Sequence, residues 1–311
     1  MILITEFMDE NAVARLASAH PTTYSPDLAD RQSDIPAMMQ GIQALVVRNR
    51  TQISRSLIEF APDLRLIGRL GVGLDNIDLE ACAESEIEVA PATGANTLSV
   101  AEYVVTNALI LLRDAYQANA RMLTGAWPRA ACSGREASGR LLGLIGFGAI
   151  AQQTAELARC LGMKTAAFDP FLPATNPAWK TTQKLELAEL LSAADVVSLH
   201  VPLTDKTRHL IDEKALKQMK PGAILINSAR GGVVDERALA TSMRSGHPAG
   251  AALDVFESEP LSVKAAAVFD GLSNLILTPH IAGVTQDSNL RVSEMIADIV
   301  LDRLESLPES Q

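Results

Sequence analysis

The stretch LLGLIGFGAIAQQTAELARCLG, residues 141–162, decides the fold. It opens on an apolar run of strand length, places small residues at Gly146, Gly148 and Ala151 in a Gly-x-Gly-x-x-Ala pattern, and continues as a helix-compatible segment stopping at Gly162. Each small residue has a task. Gly146 permits a tight turn, Gly148 lets a pyrophosphate approach the N–H groups that open the helix, and Ala151 lets the helix pack close to the strand. The next apolar run, TAAF at 165–168, leads into Asp169, a carboxylate placed to accept from adenosine ribose hydroxyls and to repel a 2′-phosphate. No arginine follows in DPFLP (169–173), which favours NAD over NADP. A glycine turn in a plain βαβ unit is the bland alternative, and the ordered succession of strand, turn, helix, strand and carboxylate leaves it a small share.

Working outward, VVSLH (196–200), AILIN (223–227), GAALDV (250–255) and LILT (275–278) join LLGLI and TAAF as six strands separated by helical segments, the pattern of one doubly wound parallel sheet. Toward the N-terminus a separate βα series runs through ILIT (2–5), AVARLAS (12–18), ALVV (44–47) and LRLIGRLGVG (64–73). Between the two lies an almost continuously apolar helix, VVTNALILLR, with Ser99 and Glu102 spaced as a capping box before it. So apolar a helix must be covered on most sides, which predicts a subunit contact and hence a homodimer. The final SNLRVSEMIADIVLDRLES (288–306) has helical spacing and no strand, so it is expected to return to the first domain. The predicted architecture is α/β with two Rossmann-like domains: an NAD-binding doubly wound domain over 98–284, inserted in a flavodoxin-like substrate domain made of 1–97 and 285–311.

Composition narrows the function classes. With 48% hydrophobic and 21% charged residues the 311-residue chain can bury a sizeable core. A net charge of -10 and a pI near 5.0 argue against nucleic acid and anionic membranes, which call for basic surface. The opening MILITEF lacks the basic start of a secretion signal and no apolar run spans a membrane, so a cytoplasmic location is expected. Cys82, Cys132 and Cys160 form no CxxC pair, which predicts reduced, buried thiols with no disulfide framework and no metal site. Trp127 and Trp179 read as packing residues.

Seven ordered blocks carry a family resemblance: GRLGVGLDNID (68–78), NTLSVAE (96–102), the glycine fingerprint, DVVSLHVPLTDKTRHLI (195–211), MKPGAILINSARGGVVDERAL (219–239), AALDVFESEP (251–260) and TPHIAG (278–283). Through them nearly the whole chain resembles the D-isomer-specific 2-hydroxyacid dehydrogenases, a family that includes phosphoglycerate, glycerate and D-lactate dehydrogenases. The resemblance implies hydride transfer between NAD and C2 of a small 2-hydroxy or 2-keto acid, with Arg230, Glu259 and His280 as the catalytic trio. Oxidising an alcohol needs a base for the hydroxyl proton and the reverse needs the same group as an acid, which suits His280 near neutral pH. Glu259 would stabilise the imidazolium and fix its tautomer, and Arg230 would bind the substrate carboxylate and polarise the C2 oxygen. The backbone of Leu70, Gly71, Val72 and Gly73 is implied to cradle that carboxylate. Toward NAD the resemblance implies Gly146, Gly148, Ala149, Ile150 and Asp169, then Val201, Pro202, Thr207, Ser228, Ala229 and Arg230 beside the nicotinamide, with His280 to Gly283 on the other side. Asp254 would accept from the nicotinamide amide. His200 belongs to the same block, although a packed, hydrogen-bonded role suits it better. Singly, each trio member reads equally well as a solvated or structural residue; together, at the C-terminal ends of successive strands, they do not. Ala149 departs from the arginine that many relatives carry beside the pyrophosphate, Ala151 replaces the third glycine, and a chain ending at Gln311 leads us to expect no C-terminal regulatory domain.

The segment Val47-Arg48-Asn49-Arg50-Thr51 matches the family's other substrate loop. Arginines one residue apart fall on one face of an extended segment, opposite Asn49, and together would suit a second anion on the substrate. Ordinary surface salt bridges are the alternative. Substrates with a C3 anion therefore lead: 3-sulfolactate, 3-phosphoglycerate or malate-like acids. ITEFMDE (4–10) and VRNRTQI (47–53) look like the branch acting on sulfolactate, where sulfonate outranks carboxylate in priority and D-like geometry is labelled S. Glyoxylate or hydroxypyruvate reduction is the runner-up. An NAD-sensing corepressor is the rival from another class, disfavoured by the complete acid–base trio, and phosphite or formate oxidation is disfavoured by the arginine loop.

Overall fold

The computed structural model describes residues 1–306. The chain divides into two compact units, Met1–Asn96 with the segment from Val284 onward, and Thr97–Gly283. Residues 307–311, assigned to the first domain on sequence grounds, lie outside the described residues.

The first unit is built on five parallel strands, β1 (Ile2–Ile4), β2 (Thr22–Tyr24), β3 (Ala44–Val47), β4 (Leu66–Arg69) and β5 (Glu88–Pro91), in the order β2-β1-β3-β4-β5. That is the flavodoxin-like order. Strands β1 and β3 are buried throughout because their alternating side chains feed two cores, one on each face. Ile2, Ile4, Val46 and Leu66 meet Leu16 of helix Glu10–Ala19 and Val292, Ile296 and Val300 of helix Gln286–Ser306. Leu3, Leu45, Val47 and Ile67 pack on the opposite face with Leu28, Ile35, Leu57 and Ala81 from short helical segments. Each such fully buried Leu, Ile or Val contributes about 1.5–3 kcal/mol of transfer free energy.

The second unit carries seven parallel strands, β6 (Leu141–Ile145), β7 (Lys164–Phe168), β8 (Gln183–Lys184), β9 (Val196–Leu199), β10 (Ile224–Asn227), β11 (Gly250–Leu253) and β12 (Leu275–Leu277), ordered β12-β11-β10-β9-β6-β7-β8. The order reverses between β6 and β9, the switch point at whose carboxyl ends doubly wound sheets bind ligands.

Helix Thr97–Arg113 starts two residues before Ser99, which lies buried inside its first turn, so the expected capping box does not form at the helix start. The apolar face is covered within its own unit: Val104, Ala108 and Leu111 pack with Leu142 and Leu144 of β6 and with Ala151 and Ala155 of helix Ala149–Cys160. The exposed apolar surface comes after this helix, at Tyr116, Leu123 and Trp127, which are 69%, 81% and 78% exposed. Trp127 is therefore not a core residue, whereas Trp179 stacks near Phe147 with ring centroids 5.0 Å apart. Of the three thiols only Cys82 is buried; Cys132 is partly exposed and Cys160 exposed, because Cys160 closes a helix on its solvent side.

Candidate active site

In the second unit the turn after β6 is closed by backbone. Gly146 has φ +86°, its N–H donates to Phe168 O at 2.8 Å, and a Cβ there would fall 2.5 Å from His200 O. Only glycine fits. Gly148 caps helix Ala149–Cys160 and brings no side chain to its orphan N–H groups, and a Cβ on it would meet nothing within 4 Å. An added side chain there would fill open space at a positive helix end, the requirement for an anionic group to reach the backbone. Ala149 and Ile150 form the first helical turn, Ala149 exposed, while Ala151 is fully buried against the sheet.

Asp169 organises the same corner: Oδ2 accepts from Phe147 N–H at 2.8 Å and Oδ1 from Phe171 and Leu172 N–H at 2.9 and 3.0 Å. Part of its acceptor capacity is thus committed to the glycine turn, and the remainder is available to a ribose. His200 Nε2 lies 2.9 Å from Ser198 Oγ, and burial pushes its imidazole down to about 4, so the ring is neutral near pH 7. Its carbonyl, rather than its ring, shapes the turn at Gly146. Thr207 donates to Pro202 O at 2.6 Å and accepts from Thr204 N–H, which commits its hydroxyl to the loop; Val201 lies beside Gly146. Ser228 Oγ is different. It is buried and has no partner among the described residues, a desolvated hydroxyl that a ligand would satisfy. The open space at Gly148 and the orphan hydroxyl of Ser228 both fit a bound dinucleotide.

Beyond β10, Ala229 N–H donates to Asn227 Oδ1 at 3.1 Å and Asn227 Nδ2 to Arg230 O at 3.0 Å, so the end of the strand presents the arginine. Gly231 lets that loop pass Phe256, whose carbonyl would lie 1.7 Å from a Cβ there. Phe256 N–H in turn donates to Glu259 Oε1 at 2.9 Å, and Glu259 Oε2 lies 2.7 Å from His280 Nδ1. Burial, the largest single influence, pushes the Glu259 carboxyl up, but the bonds from His280 and Phe256 and the charges of His280 and Arg230 outweigh it and leave it below its ordinary range. An ionised Glu259 accepts from Nδ1–H, which leaves Nε2 of His280 to exchange a proton.

His280 occupies a left-handed conformation, φ +55°, unusual for a residue other than glycine. Asp254 holds it there. Only 1% exposed, Asp254 accepts from Thr278 Oγ1 at 2.6 Å, Ile281 N–H at 2.8 Å and Ala282 N–H at 2.7 Å, and its own carbonyl accepts from His280 N–H at 2.8 Å. Its carboxylate, expected to meet the cofactor amide, is spent chiefly on the 278–282 loop that Gly283 ends. Tyr103, which sequence reasoning passed over, completes the chain: its hydroxyl lies 2.6 Å from Thr278 Oγ1 and donates to it, since the Thr278 proton goes to Asp254. Burial pushes the Tyr103 phenol up to about 12, so it remains a donor. A Tyr within VAEYVV carries no sequence signal beyond amphipathic spacing.

In the first unit, Leu70 N–H is bonded to Val47 O and Gly71 N–H to Arg69 O, so two groups of the expected carboxylate cradle are already used. Val72 and Gly73 retain N–H groups without an acceptor among the described residues. The two arginines of the 48–51 loop do not share a target. Arg50 is exposed and paired with Asp30, while Arg48 bonds Asn289 Oδ1 at 2.7 Å and lies 5.8 Å over the Phe7 ring. Burial lowers the Arg48 pKa against the opposing charge of Glu6, and among the described residues no carboxylate pairs with its guanidinium. Asn49 is exposed.

Residues 105–282 match the model of the D-isomer specific 2-hydroxyacid dehydrogenase NAD binding domain. The chain is 56% identical over 300 residues to an (S)-sulfolactate dehydrogenase of Chromohalobacter salexigens, covering 96% of each, and 37% identical over 273 residues to a hydroxypyruvate reductase of Thermotoga maritima, covering 88% of each. Its structure is similar to that of the D-lactate dehydrogenase of Aquifex aeolicus complexed with NAD and lactic acid, with a TM-score of 0.82 and 28% identity over 98% of this chain and 96% of that one. No helix among the described residues is long and apolar enough to cross a membrane. With its doubly wound sheet, its glycine turn and these relatives, the chain belongs to the D-isomer specific 2-hydroxyacid dehydrogenases and is an NAD-dependent oxidoreductase.

Proposed function

We propose that the protein interconverts a 2-hydroxy acid and its 2-keto partner where C3 carries a second anion, with (S)-3-sulfolactate the leading substrate and 3-phosphoglycerate next. The observation that carries the substrate class is Arg48, a part-buried guanidinium positioned by the neutral groups of Asn289 and Phe7 and left without a carboxylate. Partly desolvated and bonded to no carboxylate, it gains more from a directly bound anion than a solvated surface arginine would. Arg50, already paired with Asp30, adds little, so the expectation of two cooperating arginines narrows to one. The sulfolactate dehydrogenase relative supports the same choice.

NAD, when bound, supplies the hydride acceptor or donor. In oxidation His280 Nε2 takes the hydroxyl proton and Glu259 stabilises the imidazolium that forms; in reduction the proton returns by the same path. Arg230 binds the C1 carboxylate and polarises the C2 oxygen. Gly148 and the first turn of its helix receive the pyrophosphate, and Ser228 donates to or accepts from the cofactor's nicotinamide half. On this reading the enzyme works in the cytoplasm as a homodimer, joined through the exposed apolar surface at Tyr116, Leu123 and Trp127.

NAD reduction measured against sulfolactate, phosphoglycerate, glycerate and lactate, with Arg48→Ala in parallel, tests the substrate class. Sulfolactate is expected to give the highest kcat/KM, and Arg48→Ala to lower that value by about 10- to 100-fold, the scale of one hydrogen bond to a charged group. Equal loss on glycerate, or faster reduction of hydroxypyruvate and glyoxylate than of sulfopyruvate, would overturn the reading.

A further inference from the structure

The 48–51 loop is held by a buried carboxylate. Glu6 stands two residues beyond β1, the strand that pairs with β3, and is 4% exposed. Its Oε1 accepts from Arg48 N–H and Thr51 N–H, both at 2.9 Å, and both oxygens lie 3.3 Å from Arg50 N–H. Three backbone N–H groups of the loop, those of Arg48, Arg50 and Thr51, thus converge on one anion. From the loop's other edge Asn76 donates to Arg48 O at 3.0 Å and Thr51 O at 2.7 Å, and Thr5 and Thr51 hydroxyls meet at 2.9 Å. The loop's backbone is satisfied almost entirely by side chains of other segments.

We propose that Glu6 is a positioning residue for substrate selection: it clamps the 48–51 backbone so that the Arg48 guanidinium is fixed toward the substrate's second anion. This rests on the reading of Arg48 given above. A buried carboxylate this near Arg48 would by charge alone weaken anion binding, since it offsets the arginine. Its contribution to binding is therefore geometric, through the N–H groups it gathers, and a neutral acceptor of the same shape should replace it.

The readout is the ratio of KM for sulfolactate to KM for glycerate, which a general loss of stability would not move. Glu6→Ala is expected to raise that ratio about tenfold, as for a displaced charge-assisted contact, while Glu6→Gln, which keeps an acceptor for Arg48 and Thr51 N–H, restores it to near the parent's. An unchanged ratio in Glu6→Ala, or a rise in Glu6→Gln equal to that in Glu6→Ala, overturns the proposal. If Glu6→Ala does not fold, Glu6→Asp, which draws the carboxylate back by one methylene, must still raise the ratio. Arg48→Ala separates the two ideas: a ratio unmoved by Arg48→Ala refutes the arginine's role itself, whereas a ratio raised by Arg48→Ala and unmoved by Glu6→Ala refutes the clamp alone.

Discussion

Two loops, one in each unit, are held in the same way. Asp254 follows β11 directly and accepts from the loop after the neighbouring parallel strand β12; Glu6 lies just beyond β1 and accepts from the loop after its neighbour β3. Both carboxylates are almost wholly out of solvent, at 1% and 4% exposure, and both spend their charge on backbone N–H groups. What they hold differs. The 278–282 loop fixes a histidine in a left-handed conformation against Glu259, and the 48–51 loop fixes an arginine against neutral groups; the function proposed above assigns the first to moving a proton and the second to recognising charge. A parallel sheet offers such loops at one end only, and a carboxylate at the end of the adjacent strand is an economical way to stiffen one without lengthening it.

The comparison breaks most visibly at His280. If His280 is the acid–base group proposed above, His280→Ala should lower kcat by about 10²–10⁴ for every 2-hydroxy acid tested, whatever the C3 substituent. NAD affinity, read by fluorescence titration without substrate, should stay near the parent's. A loss confined to dianionic acids would mean that the two loops are not divided between chemistry and selection.

Asp254→Asn is a gentler probe of the same loop. The amide must turn an N–H toward one of the three donors that now meet the carboxylate, Thr278, Ile281 or Ala282, and a mismatched buried pair costs about 1–3 kcal/mol. Urea unfolding should show a loss of that size, and kcat should fall while the ratio of KM for sulfolactate to KM for glycerate stays fixed. A moved ratio would show that Asp254 selects substrate as well as holding His280.

How these loops read in sequence explains where the expectations stopped. Strands buried on both faces were plain: LLGLI, ALVV and AILIN are continuous apolar runs because helices cover both sides. The strands that carried no signal, β2, β5 and β8, are edge strands with exposed or half-exposed residues, as in Gln183 and Lys184, where one side meets water and the apolar run dissolves. In the candidate site, the expectation of Arg230, Glu259 and His280 came from recognisable blocks, and of these the structure brings Glu259 and His280 into contact. Glu6, Asn76 and Tyr103 were not, because they act through neighbours far along the chain, Glu6 on residues 42 to 45 positions away, and a carboxylate bonded to distant backbone has no local spacing to betray it. The paired-arginine expectation failed for the same reason: the spacing of Arg48 and Arg50 is local, but Asp30, which claims Arg50, is not.

The smallest effect belongs to Arg50, and it sharpens the division inside the 48–51 loop. Its side chain is 53% exposed and its partner Asp30 is 65% exposed, so the pair is screened and contributes at most about 1 kcal/mol. The loop is held through Arg50 N–H and Arg50 O, which accepts from Gln32 and Gln52, and these backbone bonds survive truncation of the side chain. Arg50→Ala should therefore leave unfolding within about 1 kcal/mol of the parent and the ratio of KM values nearly unchanged. Asp30→Ala, which frees the guanidinium, is the complementary measurement. If Arg50→Ala raises the ratio as far as Arg48→Ala does, Arg50 leaves Asp30 to meet the substrate, and the loop selects with two charges where its ground-state geometry presents one.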